Sequence, residues 1–182
     1  MEGDFRVVKP MSSEIIEQLA DSVRQLFRLD PSKKVKMVNL LETVLPEVLR
    51  GYSFEVLPDE DMPGMDGVTI LGDHTICLSN TTYVGLCDGK PEARIVAAHE
   101  FGHLMLHSNQ GPALAKRNRY DERVDPEWQA DRFADAWLMP WDGVARCRSA
   151  RHVAAKYCVP DHHAERRFEE VRLGKEIQGE LF

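Results

Sequence analysis

No stretch of this 182-residue chain approaches the ~18 consecutive apolar residues that a membrane span needs. Its opening segment, MEGDFRVVKP, has no apolar stretch behind a basic start, so a secretory signal is not expected and a cytoplasmic location is. Cysteine is sparse and scattered: Cys77, Cys87, Cys147 and Cys158 form no CxxC pair. That spacing excludes a zinc ribbon and argues for free thiols rather than a disulfide framework. Positive charge is not in excess either. Thirty acids against 23 bases leave a net charge of −7, which disfavours a whole-surface binder of nucleic acid or anionic membrane. Internal repeats and low-complexity tracts are absent. What remains is an ordinary globular composition, 43% hydrophobic and 29% charged, at a length that argues for one domain.

Hydrophobic spacing divides the chain into helical ends and a β-rich middle. Residues 13–29 read as an amphipathic helix with Ile16, Leu19, Val23 and Phe27 on one stripe. Residues 35–49 repeat that spacing, and Pro46 is expected to kink or split the element. Ser53–Leu57, Val68–Leu71 and Thr75–Leu78 are short apolar or β-branched runs separated by turn-rich segments, which predicts a small, mostly antiparallel sheet. The Thr75–Leu78 strand could then pair with an extended peptide by strand addition. The acids Asp59, Glu60, Asp61 and Asp66 read as a solvated loop.

Helical texture returns at Pro91, a residue suited to the first helical position. Residues 93–106 are apolar nearly all round, the mark of a buried helix. Residues 108–124 are polar and read as an exposed loop. A further helix is expected to start at the Asp125-Pro126 cap and to end before Met139-Pro140, with Ala130, Phe133, Ala134, Trp137 and Leu138 facing the core. Two short helices are expected at about 149–157 and 161–173.

The buried helix carries His99-Glu100-Phe101-Gly102-His103. Residues four apart share a helix face about 6 Å apart along the axis, so two imidazoles there can close on one metal ion. Glu100 lies to the side of that pair, where it can reach an activated water as general base without binding the metal. Gly102 is expected to leave space beside the ion. Chance would supply about 0.02 such motifs per chain of this composition. The alternative is a core helix with two satisfied histidines. Three polar groups within five buried residues, however, need a shared reason, because burying them unpaired is costly.

A catalytic zinc site takes three protein ligands. His107 lies about 12 Å along the helix from His99, too far to share the ion, and reads as cleft-lining or surface. Glu127, in the first turn of the next helix, is the better third ligand. Asp131, four residues on, is placed to accept the second N–H of His99, as in glutamate-type zincins. Alternatively, Glu127 is a helix-end charge and Asp131 a solvated acid. Zn2+ is the expected ion, although two imidazoles and a carboxylate also accept Mn2+ or Fe2+. His107, Tyr83, Tyr120 and His74 are candidates to stabilise an oxyanion, with none singled out.

The segments Ala98–His103 and Glu127–Ala134, closed by Leu138-Met139-Pro140, resemble the ImmA/IrrE family of metallopeptidases. Arg94 fits the same pattern, as do Val153–Tyr157 and Val159-Pro160, and the likeness spans about residues 50–173. Asp131 stands where the family often has asparagine, and Trp137 where it often has leucine. The resemblance implies a compact zincin-like α+β domain, with a sheet and metal-binding core over 51–140 and a helical hairpin over 141–182. Residues 1–50 lie outside the likeness and read as a helical cap or a partner-docking arm. The resemblance implies His99, His103 and Glu127 as ligands and Glu100 as the base of a zinc-dependent peptidase. It also implies a protein substrate, typically a helix-turn-helix transcriptional repressor or an antitoxin-like partner. Two other readings compete. The fold could serve as a non-proteolytic interaction module in a toxin–antitoxin or anti-repressor system. Residues 145–172, with seven bases and four acids, could contact DNA, but Glu165, Glu169 and Glu170 would repel phosphates and direct nucleic-acid binding is not expected.

Overall fold

The computed structural model describes residues 6–108, 113–114 and 122–179. Most of the polar segment after the buried helix, with the candidate Tyr120, lies outside the described residues. After β1 (Arg6–Val7), α1 (Ser13–Leu26) starts at Ser12, whose hydroxyl accepts from the Ile15 N–H. Its buried face is Ile16, Ala20 and Arg24, one residue per turn. The helix α2 covers residues 37–48 and is not split at Pro46. Its segment Leu40–Val44 widens into a π-helical turn, with Leu45 N–H donating to Leu40 O. A widened turn just before the proline absorbs the missing donor and the ring without breaking the helix.

The sheet comprises β2 (Ser53–Leu57), β3 (Gly67–Ile70) and β4 (Thr75–Ser79) in the order β2-β4-β3. It is mixed rather than mainly antiparallel. β4 pairs antiparallel with β3, from Gly67↔Leu78 to Ile70↔Thr75, but parallel with β2, from Ser53↔Thr75 to Leu57↔Ser79. Two chain reversals before β4 restore the direction of β2, and β4 then inserts between its predecessors. All five β4 residues are buried. β4 is thus the central strand, and the edge beside the buried helix is β3, so strand addition at Thr75–Leu78 is ruled out.

A helix that the sequence does not signal follows directly: α3 (Asn80–Cys87), capped by Ser79, whose hydroxyl accepts from Thr82 N. Asp59 of the acidic loop accepts from the backbone and hydroxyl of Thr81 at 2.9 and 2.8 Å. Next come α4 (Pro91–His107), β5 (Ala113–Leu114) antiparallel to β1, and α5 (Pro126–Leu138). The chain closes with α6 (Trp141–Val144), α7 (Ala150–Tyr157) and α8 (Asp161–Gly179). None of the described helices is long and apolar enough to cross a membrane.

The core forms where α1, α4 and α5 meet. Phe101 and Phe133 have centroids 5.8 Å apart, Phe101 and Trp137 5.1 Å, and Trp137 is edge-on to Phe27. Gly102 has a different role from the one its place in the motif suggested. A Cβ there would lie 3.1 Å from Ala130 O and 3.2 Å from Ala130 Cα, so the glycine lets α4 and α5 approach. Three buried arginines tie the layers together through backbone carbonyls. Arg24 donates to Trp137 O and Asp30 O, Arg94 to Val35 O, Tyr157 O and Cys158 O, and Arg167 to Met139 O. Each such buried cation is hydrogen-bonded to backbone oxygens, which offsets the cost of its burial.

Candidate metal centre

The close packing of α4 on α5 determines what faces what. His99 and His103 project from one face of α4, and their Nε2 atoms are 3.0 Å apart. The first turn of α5 brings Glu127 to them. Asp125 accepts from Glu127 N–H at 2.9 Å, fixing the backbone there. Glu127 Oε2 lies 3.2 Å from His99 Nε2, and Oε1 lies 3.4 Å from His103 Nε2. The three ligand atoms lie within 4.8 Å of one another, and this group could hold a metal ion.

The donor geometry fits a small divalent ion. Bonds of about 2.0–2.1 Å at tetrahedral angles put neighbouring ligand atoms about 3.3 Å apart. The observed separations of 3.0, 3.2 and 3.4 Å bracket that figure. The electrostatics also call for a cation. Burial alone would push the His99 imidazole down, but hydrogen bonds to Asp131 and Glu127 overcome it and raise its pKa to about 10 in the metal-free chain. The imidazoles of His103 and His99 beside it hold Glu127 far below the usual carboxylate range. Asp131 Oδ1 sits 2.7 Å from His99 Nδ1, leaving Nε2 to face the shared point.

Glu100, on the same helix, lies against the sheet. It is 6% exposed, and burial raises its pKa. The Thr69 hydroxyl of β3 lies 2.7 Å from Glu100 Oε2 and 2.9 Å from Glu100 O. Gly67 sits directly alongside, where a Cβ would be 2.8 Å from Glu100 Cγ. Neither residue carried a signal in the sequence, since both belong to a short β run with nothing to connect it to a helix thirty residues on.

The remaining candidates fall elsewhere. His107 is 1% exposed, so it neither lines a cleft nor lies on the surface; it packs behind His103. The reason is Gln129, a fully buried α5 residue whose Oε1 lies 3.0 Å from His107 Nε2. Tyr83 OH donates to Glu42 on α2, and His74 forms the left-handed turn between β3 and β4. Three of the seven basic residues in 145–172 are ion-paired: Arg166 with Asp135, Arg167 with Glu17 and Glu170, and Arg172 with Glu169.

An α+β domain whose buried helix carries two histidines beside a carboxylate from the next helix belongs to the zincin-like class. Residues 60–171 match the IrrE N-terminal-like domain, a zincin-like metallopeptidase family, and the chain belongs to that family. No curated protein matches the chain.

Proposed function

We propose that this protein is a cytoplasmic zinc-dependent endopeptidase that cleaves a protein substrate, with His99, His103 and Glu127 as metal ligands and Glu100 as general base. The observation that carries the reading is the convergence of three ligand atoms from two helices within 4.8 Å, with a buried carboxylate one residue along. Zinc bound there supplies Lewis acidity and brings the pKa of coordinated water toward 7. Asp131 holds His99 by its Nδ1–H and keeps Nε2 free for the metal. Glu100, with its pKa raised by burial, accepts a proton from the attacking water and returns it to the leaving amine. Thr69 orients that carboxylate. β3, an edge strand, is the candidate to offer backbone groups to an extended peptide.

A helix-turn-helix transcriptional regulator is the substrate class that the family resemblance favours. The test is Glu100→Gln incubated with such a regulator, zinc content being measured in parallel. Retained zinc with cleavage lost supports the base assignment, and unchanged cleavage removes Glu100 from it. Full regulatory activity of Glu100→Gln in cells, with no cleavage detected in the wild type, would favour the interaction module instead.

A further inference from the structure

Gln129 is fully buried, and its amide nitrogen lies 2.8 Å from Lys9 O and 2.6 Å from Arg123 O. Both carbonyls only accept, so both amide protons are committed to them. That fixes the side-chain orientation and turns Oε1 toward His107 Nε2, 3.0 Å away. An amide oxygen also only accepts, so the proton of His107 must sit on Nε2. His107 is 1% exposed, and no carboxylate is hydrogen-bonded to either ring nitrogen among the described residues. A neutral imidazole with its proton on Nε2 presents a lone pair at Nδ1. That lone pair faces His103 Nδ1 at 3.1 Å, so the His103 proton sits on Nδ1. His103 Nε2 is then left with its lone pair aimed at the point shared with His99 and Glu127.

We infer that His107 and Gln129 are positioning residues, a hydrogen-bond relay anchored on two backbone carbonyls that locks His103 in the tautomer able to bind a metal. The inference rests on the metal centre proposed above. Each ligand histidine thus has its own support: His99 has a carboxylate, and His103 has a neutral imidazole backed by an amide. The relay also links the ligand to the chain on both sides of the site. Lys9 belongs to the segment whose Val8 and Met11 N–H groups donate to Val124 O and Arg123 O. The strap before α1 therefore helps to hold the innermost link.

The test compares zinc affinity, by chelator competition, in the wild-type chain, His107→Leu and His107→Asn. Leucine fills the space without an acceptor, whereas the asparagine oxygen stands where Nδ1 stands now. Zinc affinity is expected to fall 10–100-fold in His107→Leu, the usual loss for a residue supporting a metal ligand. Most of it should return in His107→Asn. Nitrogen-15 spectra of the wild-type histidines, recorded without and with zinc, should place the His107 proton on Nε2 in both states. Equal affinity in all three proteins overturns the relay. So does an equal loss in both variants, or a His107 proton found on Nδ1. A wild-type chain that takes up no zinc sinks the metal centre instead, and the His107 tautomer in the metal-free protein then decides the relay by itself.

Discussion

Gly67→Ala should separate chemistry from metal binding. The new Cβ would lie 2.8 Å from Glu100 Cγ and 3.1 Å from Glu100 Oε1, with Leu78 Cδ2 also at 3.1 Å. Carbon atoms in good contact stand about 3.5–4.0 Å apart. Gly67 is paired with Leu78 in the β3–β4 ladder, so the strand cannot easily give way. The glutamate must therefore swing by something on the order of 0.5–1 Å, and a misplacement of about 1 Å can cost about 10²-fold in rate. That loss corresponds to about 2.7 kcal/mol in the barrier. Alanine gains about 0.5–1 kcal/mol over glycine in a strand, and the crowding offsets part of it. The melting temperature should therefore stay within about 4 °C of wild type. The three atoms nearest the new Cβ belong to Glu100 and Leu78 and not to a metal ligand, so zinc stoichiometry and affinity should not change. The measurements are kcat/KM on a cleaved substrate, zinc by elemental analysis, and a thermal melt. Wild-type turnover in a folded Gly67→Ala protein would refute the argument, as would zinc lost in proportion to activity.

Three more outcomes follow from the geometry. Asp131→Ala should weaken zinc binding 10–100-fold because His99 Nδ1–H loses its acceptor, while Asp131→Asn should keep most of the affinity through its amide oxygen; chelator competition measures both. Trp137→Ala should cost about 3–5 kcal/mol, read from chemical denaturation, because it empties a fully buried site between Phe27, Phe101 and Phe133. At Asp135, burial alone would raise the carboxyl pKa, but His163 and Arg166 outweigh it and hold the group below its ordinary value. A depressed folded-state pKa contributes stability that is present above the unfolded value near pH 4 and is lost as pH falls through the folded value. Asp135→Asn should therefore flatten the acid side of the stability profile below about pH 4, and an unchanged acid limb in thermal melts would contradict that.

The two motif helices were legible because their signals are local. Pro91 and the Asp125-Pro126 cap mark the starts, and the apolar spacing marks the buried faces. α3 was not legible, because Asn80-Thr81-Thr82 and Gly85 are poor helix formers and the helix depends on Ser79 and on contacts with its neighbours. The sheet's strands were visible but their order was not. Alternation tells which face of a strand is buried, never which strand lies beside it. Gly102 and His107 depart from expectation for a shared reason. Each takes its role from α5, Gly102 from Ala130 and His107 from Gln129, and spacing within one helix does not report on another. The expected edge at Thr75–Leu78 fails in the same way, since only long-range pairing makes β4 central.

The portion of the chain that matches its relatives is not the portion that closes its own interior. Residues 60–171 omit α1, yet Phe27 just past its end packs edge-on to Trp137, Arg24 donates to Trp137 O, and Glu17 pairs with Arg167. A protein trimmed to the homologous stretch would bare an aromatic wall to water and take one of two carboxylate partners from a guanidinium that now sits 1% exposed. Evolutionary kinship and physical self-sufficiency therefore draw different borders on this polypeptide, and expression of the conserved piece alone should yield a sticky, poorly soluble product.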